Sequence, residues 1–382
     1  MKDPWFKSTF QYDVLGKRLT VHIPHDVFST QRIDEGTLLF LDHLPETKPE
    51  TILDMGCGYG ALGLPIAAIY PEARIDMVDR DLLAAAWSKK NAEANSLTNV
   101  SAFGSLGFRD VNGTYDWILC NVPARIGEPF IKNLIHHGCA RLKPGGELRV
   151  VVINDLIPLV SEMKLIATGP RHSIFAIKAN ESSADAVAPE SLYLRDQVKV
   201  TDLELERPFD LGGDDQKRLK TGLPVLIDSL PRKAPAGPFK VLCFRSGYGQ
   251  LPLLARKRWP EAMITAVDRD LLGTTFVKHN ASRLGLDGAQ LEIREAAHFP
   301  DAFASTEKFN LVIGELSPSA GETVALSELS AIEGLLEKGG EALILCLDKI
   351  EKDWVKKFTL KSKLSAFKVL TRDGYTVIRF SK

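Results

Sequence analysis

Ile52-Leu53-Asp54-Met55-Gly56-Cys57-Gly58-Tyr59-Gly60 runs from an apolar segment into a glycine turn, and it is answered 189 residues later by Val241-Leu242-Cys243-Phe244-Arg245-Ser246-Gly247-Tyr248-Gly249. Set against each other without a gap, residues 52–95 and 241–284 share 19 of 44 positions, far above chance. Tyr70-Pro71-Glu72-Ala73 returns as Trp259-Pro260-Glu261-Ala262, and Val78-Asp79-Arg80-Asp81-Leu82-Leu83 as Val267-Asp268-Arg269-Asp270-Leu271-Leu272. A period this long is no solenoid repeat; it is a duplicated domain.

Each copy alternates short apolar runs with helical stretches. In the first copy the pattern predicts strands over 51–55, 75–78, 100–103, 117–120 and 148–153. Helices are predicted between them over 62–70, 82–95 and 129–141. Strands separated by helices imply right-handed βαβ units and an α/β fold with a parallel, doubly wound sheet. Ligands of such sheets bind beyond the carboxyl ends of the strands. The polar stretch 179–189 is the expected linker, giving domains over 1–180 and 190–382.

A chain of 382 residues with 45% apolar and 25% charged residues is globular in composition, which excludes disordered and fibrous classes. No apolar run approaches the length of a membrane-spanning helix, and Met-Lys-Asp-Pro-Trp does not open a signal peptide. A cytoplasmic place is therefore expected. Five scattered cysteines without a CxxC pair imply reduced thiols and no structural metal. Net charge is −1, yet residues 1–190 hold 19 Lys+Arg against 23 Asp+Glu and the remainder holds 29 against 26. An acidic first copy and a basic second copy cancel in that total.

Chemistry gathers after the predicted strands of the first copy. Glycines at 56, 58 and 60 allow a tight turn and close ligand approach, a pattern that Gly56, Gly58 and Ala61 also satisfy for a dinucleotide. Asp54 discriminates between the two, because a carboxylate at that strand end opposes a pyrophosphate but suits a ligand carrying an ammonium and a sulfonium, such as S-adenosylmethionine. Asp79, about 20 residues beyond the glycines, stands where a carboxylate accepts ribose hydroxyls; capping of the next helix by Asp79 and Asp81 is the plainer alternative. Asn121-Val122-Pro123-Ala124 closes the fourth strand, and a carboxamide beside a rigid turn can accept a hydrogen bond from a planar amine. Cys120 reads as a buried strand-end thiol rather than a nucleophile, and His136-His137 as helix surface. His22 and His25 carry no assigned role.

Asp54–Gly60, Asp79 and Asn121-Val122-Pro123 at these spacings resemble a class I adenosylmethionine-dependent methyltransferase with an amino-methylating Asn-Pro-Pro-aromatic motif. The leader Val27-Phe28-Ser29 through Ile33-Asp34-Glu35-Gly36-Thr37-Leu38-Leu39, with Lys143-Pro144-Gly145-Gly146-Glu147, narrows the resemblance to RsmC/RlmG-type ribosomal RNA guanine-N2 methyltransferases. It implies two tandem Rossmann-like domains, each with a mostly parallel seven-stranded sheet covered by helices on both faces. It also implies one active copy and one degenerate copy. Carried over residue by residue, Asp54, Gly56, Gly58, Asp79, Arg80, Ser105, Leu106 and Asn121 would line the cofactor. Asn121, Val122 and Pro123 would hold the target amine, and Phe28, Thr37 and Arg125 would face the substrate. The resemblance further implies direct methyl transfer without a covalent intermediate or a metal, on ribosomal RNA or a ribosomal subunit, by a monomer. A base within a helix would first be extruded.

Two departures stand out. The motif Asn-Pro-Pro-Phe-His of the family reads Asn-Val-Pro-Ala-Arg here, so Ala124 removes a stacking surface of about 1–3 kcal/mol. Arg125 offers a guanidinium plane in its place. In the second copy Cys243 stands at Asp54, Arg245 at Gly56 and Glu315-Leu316-Ser317-Pro318 at the Asn-x-Pro turn, although Asp268 persists. That copy is expected to be non-catalytic and to contact RNA through Arg256-Lys257-Arg258, Lys217, Arg218, Lys220 and the lysines of 349–368. The order is the reverse of the family's usual one. Other readings are an RNA-binding or assembly protein without activity, and a methyltransferase for a protein amide or small molecule.

Overall fold

The computed structural model describes residues 3–27, 33–179, 189–209, 221–233 and 238–382. Phe28 and Ser29 of the leader, residues 180–188 of the linker and Lys217, Arg218 and Lys220 lie outside the described residues. The chain forms two compact units, Phe6–Arg195 and Asp196–Lys382, and Met1–Trp5 belong to the second. This division differs from 1–180 and 190–382 because Trp5, at the N-terminus, is buried among side chains of the second unit.

The first unit opens with an antiparallel hairpin, β1 (Phe6–Val14) and β2 (Lys17–Pro24), then α1 (Glu35–Leu41). There follow β3 (Thr51–Met55), α2 (Gly63–Ile69), β4 (Arg74–Asp79), α3 (Leu82–Ala94), β5 (Val100–Gly104), β6 (Tyr115–Asn121), α4 (Glu128–Ala140), β7 (Leu142–Ile153), β8 (Lys164–Thr168) and β9 (His172–Lys178). The sheet order is β5-β4-β3-β6-β7-β9-β8, parallel through β7, with β9 antiparallel to both β7 and β8. Ile52 and Leu53 are both fully buried, as a central parallel strand with helices on each face requires.

The second unit repeats this plan. After α5 (Pro189–Tyr193), which still belongs to the first unit, come the hairpin β10 (Leu194–Val200) and β11 (Leu203–Pro208), α6 (Leu223–Ser229), β12 (Lys240–Phe244), α7 (Gln250–Arg258), β13 (Met263–Asp268), α8 (Leu271–Arg283) and β14 (Leu291–Glu295). The unit closes with β15 (Phe309–Glu315), α9 (Gly321–Leu335), β16 (Leu336–Leu347), α10 (Asp348–Thr359), β17 (Ser365–Arg372) and β18 (Tyr375–Ser381). Its order, β14-β13-β12-β15-β16-β18-β17, matches the first sheet strand for strand.

Identities between the copies mark the joints. Asp81 and Asp270 cap α3 and α8, each accepting from the amide two residues on at 3.0 Å. Asn91 on α3 accepts from His22 N (2.8 Å) and donates to the carbonyls of His22 and Tyr59 (2.9 Å each), so one buried carboxamide ties hairpin, helix and glycine loop together. Asn280 on α8 does the same with Glu206 and Tyr248. Burying such a group is tolerable only because its donors and acceptor are satisfied.

Candidate functional site

β3 pairs in parallel with both β4 and β6, so Asp54, Asp79 and Asn121 come to the carboxyl end of the first sheet, on adjacent strands. Asp54 is only 2% exposed. Burial pushes its carboxyl up to about 7; the Gly63 amide opposes the shift and the neighbouring Asp79 charge adds to it. Its Oδ2 is buried without a well-formed hydrogen bond. A carboxylate held this way is stabilised by a cation, and the loop beside it has room for one. Gly56 and Gly58 have φ of +78° and +58°, and nothing stands within 4 Å of where their side chains would be. Together these observations fit a ligand bearing a positive charge against an open glycine cradle.

Asp79 is not the helix cap; Asp81 is. Asp79 accepts from Gly58 N and from Asp81 N, at 2.9 Å each, through different oxygens. The carboxylate is thereby fixed at the mouth of the glycine loop.

Asn121 ends β6 and is half-buried. Its Nδ2 donates to Asp34 Oδ2 (2.9 Å) and Thr37 Oγ1 (3.1 Å), which uses both amide hydrogens and turns Oδ1 to the opposite side as an acceptor. Asp34 is also the N-cap of α1, accepting from Gly36 N at 3.1 Å. A side chain at Gly36 would lie 2.9 Å from that carboxylate and 3.0 Å from the His172 ring, so only glycine leaves Asp34 aimed at Asn121. Sequence reasoning placed Thr37 toward the substrate and gave Asp34 no role. Both hold the carboxamide, across 84 and 87 residues of chain.

Among the remaining predicted residues, the Ser105 hydroxyl is engaged in its own turn, donating to Gly107 O (2.8 Å) and accepting from Asp110 N (3.1 Å). Ser105 N donates to Asp79 O (2.9 Å), which sets this turn beside the end of β4, and Leu106 is buried. Arg80 is half-buried next to Asp79. Val122 is buried, whereas Pro123, Ala124 and Arg125 are exposed in a turn closed by Ile126 N donating to Pro123 O (3.2 Å). Phe28 lies outside the described residues. Cys57 and Cys120 are buried thiols pushed far above their usual range by burial and by Asp54 and Asp79. No group of three or more His, Cys, Asp or Glu that could hold a metal occurs among the described residues.

In the second copy the corresponding loop is filled. Arg245 keeps the left-handed backbone of the glycine it replaces, with φ +52°, and its guanidinium pairs with Glu328 of α9 at 2.8 Å. Asp268 retains the loop contacts, accepting from Gly247 N (2.9 Å), Arg269 N (2.8 Å) and Asp270 N (3.2 Å). Burial and the nearby Asp270 raise its carboxyl. Of the basic series, Lys257 pairs with Asp202 (2.6 Å) and Lys357 with Glu322 (2.7 Å).

Residues 18–166 match the methyltransferase small domain family. The chain is 35% identical over 149 residues to the uncharacterized protein YbxB of Bacillus subtilis (strain 168), a match covering 38% of this chain and 74% of that one. It is 36% identical over 141 residues to the ribosomal RNA small subunit methyltransferase C of Hahella chejuensis (strain KCTC 2396), covering 35% of this chain and 39% of that one, well short of the curated relative's full length. A solved structure, the T. thermophilus 16S rRNA N2 G1207 methyltransferase RsmC in complex with AdoMet and guanosine, superposes with a TM-score of 0.67. That match covers 99% of each chain at 16% identity, a likeness of fold.

Proposed function

This chain belongs to the methyltransferase small domain family, and we propose that it is an S-adenosylmethionine-dependent methyltransferase acting on the exocyclic N2 amine of a guanine in ribosomal RNA, with its chemistry in the first copy. The observation that carries this reading is the locked carboxamide of Asn121, whose Oδ1 is left as an acceptor at the carboxyl end of the sheet beside Asp54 and Asp79.

The residues present fit the cofactor: the buried Asp54 carboxylate would face its positive end, the Gly56–Gly58 turn would admit its backbone, and Asp79 would accept its ribose hydroxyls. When bound, adenosylmethionine supplies an electrophilic methyl group. Asn121 Oδ1 accepts an N–H of the target amine and holds the nitrogen lone pair in one direction, which is catalysis by positioning. Asp34 and Thr37 keep that acceptor from rotating. Val122 and Pro123 shape the wall of the site, and Arg125 lies exposed where its plane can cover a base in place of the missing aromatic.

Relatives named for ribosomal RNA methylation support the substrate class. With that substrate goes a cytoplasmic place of action; among the described residues no helix is long and apolar enough to cross a membrane. We assign RNA contact to the second copy, where exposed Lys356, Lys361 and Lys363 share a segment with Phe367, which is 69% exposed. RNA binding without catalysis has one observation in its favour, the exposed Ala124 where a stacking ring would stand.

Transfer of labelled methyl to ribosomal RNA or subunits from a strain lacking this chain separates the two. The expected result is incorporation at guanine N2 that is lost with Asn121→Ala. RNA binding with no incorporation contradicts the enzyme reading.

A further inference from the structure

The indole of Trp5 is only 6% exposed and sits within the second unit. Its ring centroid is 5.3 Å from that of His298, with the planes 33° apart. The guanidinium carbons of Arg269 and Arg245 lie 5.4 and 6.0 Å from the ring, within the range of cation–π attraction. Trp5 N donates to Asp3 Oδ1 at 2.9 Å, which turns the chain across Pro4 and fixes the approach of the ring.

These neighbours occupy known places in the repeat. Arg245 replaces Gly56 in the glycine loop, and Arg269 follows Asp268 as Arg80 follows Asp79. Ala296 N donates to Asp268 O as Ser105 N donates to Asp79 O, so His298 stands where the first copy has Gly107. The glycine loop, the end of β13 and the turn after β14 are the counterparts of the three walls that, on the cofactor reading above, enclose the nucleoside in the first copy.

We infer that Trp5 is an intramolecular ligand of the second copy: its indole fills the vestigial nucleoside site and seals it against purine nucleotides. The flat ring takes the place of a purine, between His298 and the two arginines. Asp268 survives in this copy because its amide contacts hold the loop, not because it binds a free nucleoside.

The test uses the full chain with Asp79→Ala, which silences the first copy, with and without Trp5→Ala. Indole is expected to raise the thermal midpoint of the Trp5→Ala protein by several degrees and to leave the Trp5-containing protein unmoved. Adenosine monophosphate is expected to bind the Trp5→Ala protein at least about tenfold tighter, with indole competing. If either ligand fails to distinguish the two proteins, the inference is overturned. Should Trp5→Ala not fold, the difference in emission between wild type and Trp5→Phe isolates Trp5; shielding from acrylamide is expected, and quenching at the level of an exposed indole overturns it. The outcome is read on the second copy alone, so a failure of the cofactor reading would show separately, as wild type that binds no adenosylmethionine.

Discussion

The two copies share strand order, helix caps and the asparagine that clamps hairpin to loop, and they keep Gly58, Asp79 and Arg80 as Gly247, Asp268 and Arg269, yet they differ at the other side chains proposed to touch the ligand. Asp54, Gly56 and Asn121 in one become Cys243, Arg245 and Glu315 in the other. What survives duplication is what the fold needs; what is lost lies at strand tips and in one turn. The glycine loop shows this most clearly, since its backbone persists at φ +52° even with arginine in place of glycine, and the new side chain is absorbed by Glu328.

The difference can be forced. Gly56→Arg writes the second copy's residue into the first and puts a cation against the positive end of the ligand. At an effective dielectric of about 20, two such charges 4 Å apart repel by about 4 kcal/mol, so affinity for adenosylmethionine should fall about 1000-fold. The fold should survive at a cost of about 1–2 kcal/mol for a left-handed non-glycine residue. Titration calorimetry and thermal unfolding read the two effects. Asn121→Ala should lower kcat about 100- to 1000-fold, the range for losing a preorganised polar contact at the reacting group, and weaken cofactor binding far less than Gly56→Arg.

Asp34→Ala should lower kcat about tenfold with KM for RNA little changed, because it frees the Asn121 carboxamide without touching substrate. Asp34→Asn keeps an acceptor and the helix cap and should restore most of the rate. The smallest effect is one of pH. Asp54 has a raised folded pKa, so its protonated form favours the apoprotein, a contribution complete below about pH 4 and lost as pH rises through about 7. A cationic ligand prefers the ionised carboxylate, so cofactor affinity should rise about tenfold between pH 6 and pH 8 and release a proton on binding. Asp54→Asn should flatten this dependence, as calorimetry in buffers of different ionisation enthalpy would show.

The repeat made β3 through β7 and their helices legible, since central parallel strands are continuous apolar runs. The flanking hairpins were not legible, because β1 alternates exposed polar residues and has no apolar core of its own. Nor was the antiparallel pair of β8 and β9. Of the site, Asp54, the glycines, Asp79 and Asn121 could be read because each follows a recognisable strand. The tie between Asp34 and Asn121 spans 87 residues and depends on a rotamer, which spacing does not record. Trp5 was invisible for the same reason: its partners, in the unit it belongs to, lie well over 200 residues away along the chain.

Of the two copies, the first is proposed to bind the cofactor and the second is not. Calorimetric titration of wild type, Asp79→Ala and Asp268→Ala with adenosylmethionine tests it most directly. One molecule per chain is predicted, lost with Asp79→Ala and kept with Asp268→Ala. Two molecules per chain, or binding lost only with Asp268→Ala, would contradict it.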